Sequence, residues 1–240
     1  MAPVLLKLDL HVHSIHSTHT GLVGLFLRYD SICTPRSIVK MVKRRGLSGV
    51  AVVDHNNLRG SIAIKREVES ISDQILVIPG EEVSTSGGHI IALYIQEEVK
   101  PHLGVEETIE QIHELGGIAI AAHPYNPNLK HFATQNLAKV DAVEVLNASI
   151  PGPFNEKART LANALRKPGT AGSDAHIPEH IGRAYTLVRS EEASVEAAVK
   201  AIKRGLVSVQ GRELAIHEIV YRYAKKLYYN LVPIGGVGSK

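Results

Sequence analysis

Short hydrophobic runs recur along the chain, each ending in a polar cluster and most followed by a stretch with helical spacing. Val4–His11, Gly49–Asp54, Ile75–Ile78, Ile90–Ile95, Ile118–Ala122, Ala142–Leu146, Gly169–Gly172 and Tyr185–Val188 read as strands. Their Val, Ile and Leu content suits strands buried on both faces, so a parallel sheet is expected. Between them, Thr34 followed by Pro35 reads as a helix N-cap with proline at the first helical position. Ile38, Met41 and Val42 form the buried stripe of that helix and Gly46 its stop, and residues 105–115, 153–167 and 192–204 repeat the pattern. Seven or so such units, with no repeat period and no low-complexity tract, predict an α/β fold with a closed or nearly closed barrel over residues 1–230 and a tail over 231–240. A doubly wound open sheet is the alternative.

Composition narrows this without naming a ligand. The chain has 240 residues, 44% of them hydrophobic and 21% charged, enough for one large core and too apolar for disorder. The net charge of +3 does not compel a nucleic-acid partner. Cys33 is the one cysteine, which excludes an internal disulfide or a cysteine-only zinc site and suits the cytoplasm. Any metal must therefore take nitrogen and oxygen ligands. Val4–Leu10 is too short to span a membrane and is broken by Lys7 and Asp9, and neither a membrane nor an obligate protein partner is expected. Near the end, Leu214, Ile219, Tyr223 and Leu227 recur at helical spacing, with Arg222, Lys225 and Lys226 among tyrosines. A terminal helix packing its tyrosines on the barrel is the simpler reading, and stacking on single-stranded nucleic acid the other.

The candidate chemistry lies in the polar clusters. Thirteen histidines stand against eight tyrosines, three phenylalanines and no tryptophan. Alternation along the first strand places Lys7, Asp9, His11 and His13 on one face. Later runs end in Asp54-His55-Asn56, Pro79-Gly80-Glu81-Glu82, Ala122-His123-Pro124 and Gly172-Ser173-Asp174-Ala175-His176, and another opens with Gly88-His89. In a parallel barrel the carboxyl ends of the strands meet on one face, where active sites are built. Arg183, soon after the Asp174/His176 loop, is a candidate clamp for a substrate phosphate.

In order and composition these clusters resemble the polymerase and histidinol phosphatase (PHP) family of metal-dependent phosphoesterases, from about residue 8 to about residue 188. The resemblance implies a distorted seven-stranded, TIM-like (β/α) barrel holding two or three divalent transition metal ions. His11, His13, Glu82 and Asp174 would surround one ion, Glu82 would bridge to a second held by His89 and His123, and His55 and His176 would hold a third. Glu82 is preferred to Glu81 because the family motif runs glycine, any residue, glutamate. The third ion needs a further ligand from the loop after His13, where Asp30 fits by its neighbours and His19 by its distance; Asp30 is favoured. Asp9 and Asp54 would fix imidazole tautomers, while Glu144 and Asn147 would line the site. Mixed imidazole and carboxylate donors suit Zn, Mn or Fe.

Such a site would hydrolyse a phosphomonoester or nucleotide phosphodiester with a metal-bridging hydroxide. Its substrate would be a small phosphorylated metabolite, a nucleotide or a short oligonucleotide. The alternatives are a non-catalytic barrel acting as an RNA-binding or assembly subunit and, last, a barrel amidohydrolase.

Overall fold

A computed structural model describes residues 3–18, 29–71, 74–129 and 137–232. In chain order the elements are β1 (Val4–Val12), α1 (Pro35–Arg44), β2 (Gly49–Val52), α2 (Arg59–Ser70), β3 (Leu76–Thr85), β4 (Gly88–Leu93), α3 (Val105–Glu114) and β5 (Ile118–Ala121). They continue with β6 (Ala142–Asn147), α4 (Gly152–Leu165), β7 (Gly169–Gly172), β8 (Ala184–Ser190), α5 (Val195–Lys203), β9 (Val207–Gly211) and α6 (Ile216–Leu231).

The strands form one sheet in the order β7-β6-β5-β4-β3-β2-β1-β8-β9. Beyond the ladders, the end of β7 returns to β1. Asp174 N–H donates to His11 O at 2.7 Å and His13 N–H to Ala175 O at 3.0 Å. The strands β1 to β7 thus make a nearly closed circuit, the barrel expected from the alternation of elements, and β8 and β9 extend from β1. No described helix is long and apolar enough to cross a membrane.

Two expectations need correction. Among the described residues the sheet holds nine strands and not seven: β8, one of the runs read as a strand, lies outside the seven of the barrel circuit, and β9 alternates half-buried valines with exposed polar residues and so lacks an apolar run. It is also mixed and not parallel: β4 runs antiparallel to β3 and β5, and β8 antiparallel to β1 and β9. The reversal of β4 follows from its connection: only Ser86 and Gly87 separate it from β3, and so short a link joins antiparallel strands alone. β3 runs on through Pro79, which pairs with Val52 of β2, and from Gly80 onward it pairs with β4. A proline donates no ladder hydrogen bond, so it sits where the strand changes partners. A Cβ on Gly80 would run into Ala92 O of β4.

The helices dock by their apolar stripes. Thr34 Oγ1 caps α1 by accepting from Ser37 N–H, and Ile38 and Val42 of α1 join Ile64 and Val68 of α2 over Val50 and Val52. Ile109 and Ile112 of α3 and Leu161 of α4 cover Ile90, Ala119 and Val143. The helix α6 departs from this rule. Apart from Ile219, which packs on the cluster of Leu146, Ala171 and Leu214, its inward stripe is Glu218, Arg222, Lys225, Lys226, Tyr229 and Asn230, whereas Ile216 (82% exposed), Val220, Leu227 and Leu231 face solvent. Tyr221, Tyr223 and Tyr228 are exposed as well, so they do not pack on the barrel as the simpler reading required.

The barrel closes at Gly172, where a Cβ would strike the backbone and Cβ of His11. Gly172→Ala should lower stability by about 1–3 kcal/mol through overpacking at a rigid contact. Gly152→Ala, in the first turn of α4 with its nearest neighbour 3.5 Å away, should be neutral or stabilising. Urea unfolding midpoints of the two variants check the contrast.

Candidate metal centre

Six loops or strand ends deliver the polar side chains. His11 and His13 come from the end of β1, which carries a register irregularity between Asp9 and Val12. His55 follows β2, Glu82 lies within β3, His123 follows β5, and Asp174 and His176 follow β7. His89 joins them because β4 is reversed, so its first residues lie opposite the last of β3, with Ser84 facing His89. A parallel β4 would have put His89 at the other end of the barrel.

The centre is organised around Glu82, 1% exposed. Its Oε1 lies 2.8 Å from His89 Nδ1 and 2.9 Å from His123 Nε2. Its Oε2 lies 3.1 Å from His55 Nδ1, 3.3 Å from His13 Nε2 and 3.5 Å from His11 Nε2. Asp174 Oδ1 stands 3.4 Å from His13 Nε2 and 3.7 Å from His11 Nε2. On the other side of His13, Asp30 Oδ2 is 3.3 Å from His176 Nε2 and 3.9 Å from His55 Nε2, and accepts from Ser17 Oγ at 2.9 Å. All nine favoured ligand candidates therefore meet. They divide into overlapping groups: His13, Asp30, His55 and His176; His11, His13 and Glu82; His11, His123 and Asp174; and His55, Glu82 and His89. Here His123 groups with His11 and Asp174, and His55 with Glu82 and His89, so the assignment of one residue to one ion is looser than the resemblance implies. His19 lies outside the described residues.

The donor set fits a cation. Among the described residues, Glu82 Oε2 and His55 Nδ1 are buried and form no hydrogen bond, although they lie 3.1 Å apart, a costly arrangement unless something positive is shared by such atoms. His11 Nε2 and His13 Nε2 converge to 3.2 Å. Neighbouring groups direct these lone pairs. His11 Nδ1–H donates to Glu144 Oε1 at 3.0 Å, and His176 Nδ1–H donates to Asp174 O at 3.0 Å, turning each Nε2 toward the centre. Glu144, expected only to line the site, also accepts from His123 N–H through Oε2, and Asn147 Nδ2 bridges Glu144 Oε2 and Asp174 Oδ2.

Other expected roles shift. Asp9 accepts from the backbone N–H of Ser173 and Gly182, and Asp54 from Ser14 N–H and Oγ. They tie loops together, and the orienting role expected of them on an imidazole belongs to Glu144. Glu81 points away and accepts from Val99 N–H at 2.6 Å. Arg183 does not join the cluster: its Nη2 lies 2.5 Å from Glu218 Oε1 on α6. The cation that does arrive is Lys226 of α6, with Nζ 3.4 Å from Asp30 Oδ1. Helical spacing pointed to α6, but a loop–helix contact across nearly two hundred residues leaves no local signal.

Three residues beside or within the centre hold left-handed backbone without being glycine: Asn56 (φ 53°), His123 (φ 26°) and Asp174 (φ 50°). Each costs on the order of 1–3 kcal/mol, and such strain gathers where side chains must be aimed. Hydrogen bonds from Asn56 N–H to Glu82 O, His123 N–H to Glu144 and Asp174 N–H to His11 O hold them.

Protons are distributed accordingly. Burial works against charge at His11 and His13, yet Asp174 and Glu82 push His13 up to about 10, and Glu144, Asp174 and Glu82 raise His11 well above the usual imidazole range. Burial would raise Glu82 too, but the surrounding His55, His89 and His11 hold it well below the carboxylate range. Burial takes His55 down to about 3. A cation entering the centre must therefore displace protons from imidazoles and not from carboxylates. Since His13 keeps its proton below about pH 10, apparent Zn²⁺ or Mn²⁺ affinity should rise from pH 7 to 9, by about tenfold per unit for each proton displaced. Competition with a metal indicator measures the slope, and a flat profile would contradict the proton distribution.

Comparison with known proteins gives the following likenesses. The PHP-associated family model matches residues 152–207. An uncharacterized protein of Methanocaldococcus jannaschii, MJ1587, is 38% identical over 147 residues, which cover 60% of this chain and 82% of that one. A two-domain protein from Bacteroides vulgatus containing a predicted PHP-like metal-dependent phosphoesterase superposes with a TM-score of 0.69 at 19% identity, over 93% of this chain and 70% of its own. The lesion-specific endonuclease PfuEndoQ from Pyrococcus furiosus gives a TM-score of 0.58 at 17% identity, over 86% of this chain and 58% of its own. At such identities the two solved structures speak for the fold.

Proposed function

The chain belongs to the PHP family, and from that premise we propose that it is a phosphoesterase that hydrolyses a phosphomonoester or nucleotide phosphodiester. The observation that carries this reading is the buried carboxylate of Glu82, both of whose oxygens face imidazole nitrogens at 2.8–3.5 Å. A carboxylate so placed can serve cations on both sides, as two-metal hydrolysis requires.

In this reading His11, His13, Asp30, His55, Glu82, His89, His123, Asp174 and His176 hold two or three divalent transition ions, Zn, Mn or Fe by donor chemistry. When bound, such ions activate water at neutral pH and neutralise charge on the phosphoryl oxygens. The chain's own residues prepare that chemistry. Glu144 keeps the His11 Nε2 lone pair facing inward, Asn147 fixes Asp174, and Ser17 links His13 Nδ1 to Asp30. No serine or cysteine nucleophile is needed, and Cys33 is fully buried with its thiol pushed up to about 12 by burial. The substrate is a small phosphorylated metabolite, a nucleotide or the end of a short oligonucleotide. A barrel kept only for RNA binding or assembly would have no use for nine donors gathered, most of them buried, into overlapping groups at one end.

Protein purified without chelator should contain more than one equivalent of transition metal per chain by elemental analysis. Glu82→Gln should lose most of it. Asp174→Asn should reduce hydrolysis of p-nitrophenyl phosphate or a nucleotide by more than about a hundredfold while its thermal unfolding stays cooperative. A metal-free wild-type protein, or an Asp174→Asn variant with normal turnover, would defeat the reading.

A further inference from the structure

The helix α6 lies along the carboxyl rim of the barrel and is pinned there along its length. At its start, Glu218 takes Arg183 at 2.5 Å and Arg212 at 2.7 Å. In its middle, Arg222 Nη1 donates to Ser149 Oγ at 2.8 Å, and Ser149 Oγ donates to Asp174 O at 3.1 Å. Near its end, Asn230 and Tyr29 exchange hydrogen bonds: Tyr29 N–H donates to Asn230 Oδ1 at 2.7 Å and Asn230 Nδ2 to Tyr29 O at 3.2 Å. Lys225 pairs with Glu179, beyond β7. The polar stripe of α6 therefore spans the loops after β6, β7 and β1, and its last tether holds the residue next to Asp30.

Lys226 sits one turn before that tether, its carbonyl accepting from Asn230 Nδ2 at 2.9 Å. Its side chain is 13% exposed, and its ammonium faces the oxygen of Asp30 opposite the one turned toward His176. An ammonium beside a cluster built to collect cations repels them, so its pairing with Asp30, whatever it adds to the docking of α6, acts against cation binding. A substrate phosphate would reverse the sign of that interaction. Nζ has three N–H donors and engages one described acceptor, which leaves donors for an anion.

We propose that Lys226 grips a non-bridging oxygen of the substrate's phosphoryl group and, with α6 as a fixed roof, selects a terminal phosphomonoester over an internal phosphodiester. This rests on the phosphoesterase reading above. A monoester dianion brings one more negative oxygen than a diester and gains more from an added cation.

The test compares wild type, Lys226→Met and Lys226→Arg, each loaded with Mn²⁺. Lys226→Met should keep its full metal content, since a repelling charge has been removed. Its dissociation constant for inorganic phosphate by calorimetry should rise at least about tenfold, as expected for losing a charged hydrogen bond. The KM for p-nitrophenyl phosphate should rise by a similar factor with a smaller change in kcat, bis-p-nitrophenyl phosphate should be affected less, and Lys226→Arg should recover part of the loss. Phosphate affinity unchanged within about twofold, loss of metal from Lys226→Met, or a wild type that binds no phosphate would each overturn the assignment. A wild type that binds phosphate through Lys226 but hydrolyses neither ester would instead sink the phosphoesterase reading.

Discussion

Burying a carboxylate is expensive, and what surrounds Glu82 is the means of meeting that cost. The side chain is 1% exposed and two of its neighbours, His11 and His13, are fully buried as well. Positive charge has to be supplied locally, by protons on imidazoles or by metal ions. The acidic members hold the protons on His11 and His13, and the imidazoles of His55, His89 and His11 in turn hold Glu82 ionised, so the two sets depend on each other. The barrel must therefore bring β1, β2, β3, β5 and β7 to one end, because the members of this mutual dependence are spread over the ends of those strands. The reversal of β4 adds His89 to the same set.

That requirement explains where the fold tolerates strain and close contact. His123 and Asp174 adopt left-handed backbone at the ends of their strands, and Gly172 lets the β7 end touch β1. These features sit within a few residues of ligand candidates, while the hydrophobic clusters under the helices are ordinary aliphatic packing. The apolar clusters thus supply the stability on which the strained rim draws, since the left-handed residues are held by hydrogen bonds to Glu144 and His11, themselves fixed in the walls.

Much of this is legible in the chain. Runs of Val and Ile ending in Asp-His-Asn or Ala-His-Pro mark strand ends because a buried strand must stop being apolar where it reaches solvent or a site. The nine favoured candidates meet for that reason. What the runs conceal is direction: a strand reads the same either way, so the reversals of β4 and β8 come from pairing geometry that no single segment carries. β9 was missed because three of its five residues face solvent, and α2 because Gly60 and Ser61 at its buried start do not read as an apolar stripe. Roles that depend on who stands nearby were the least legible. Asp9 and Glu144 are both acids on strands, yet one ties backbone N–H groups and the other orients His11. Arg183 was named for its place after the Asp174 loop, but its guanidinium is taken by Glu218.

The inverted polarity of α6 draws these points together. A helix that turns Ile216 and Leu231 outward gives up apolar burial at about 25 cal/mol per Å², so the inward contacts must compensate in another form. They do so with ions and hydrogen bonds: Glu218 with two arginines, Arg222 with Ser149, Lys225 with Glu179, Lys226 with Asp30 and Asn230 with Tyr29. Apolar residues on that face would pack on a rim crowded with histidines and carboxylates and would strand their polar atoms. The polar stripe satisfies them and keeps an ammonium beside the centre. The amphipathic pattern of α6 is therefore set by the polarity of what it covers, which is why a rule that places apolar stripes inward fails at this helix and holds at α1, α3 and α5.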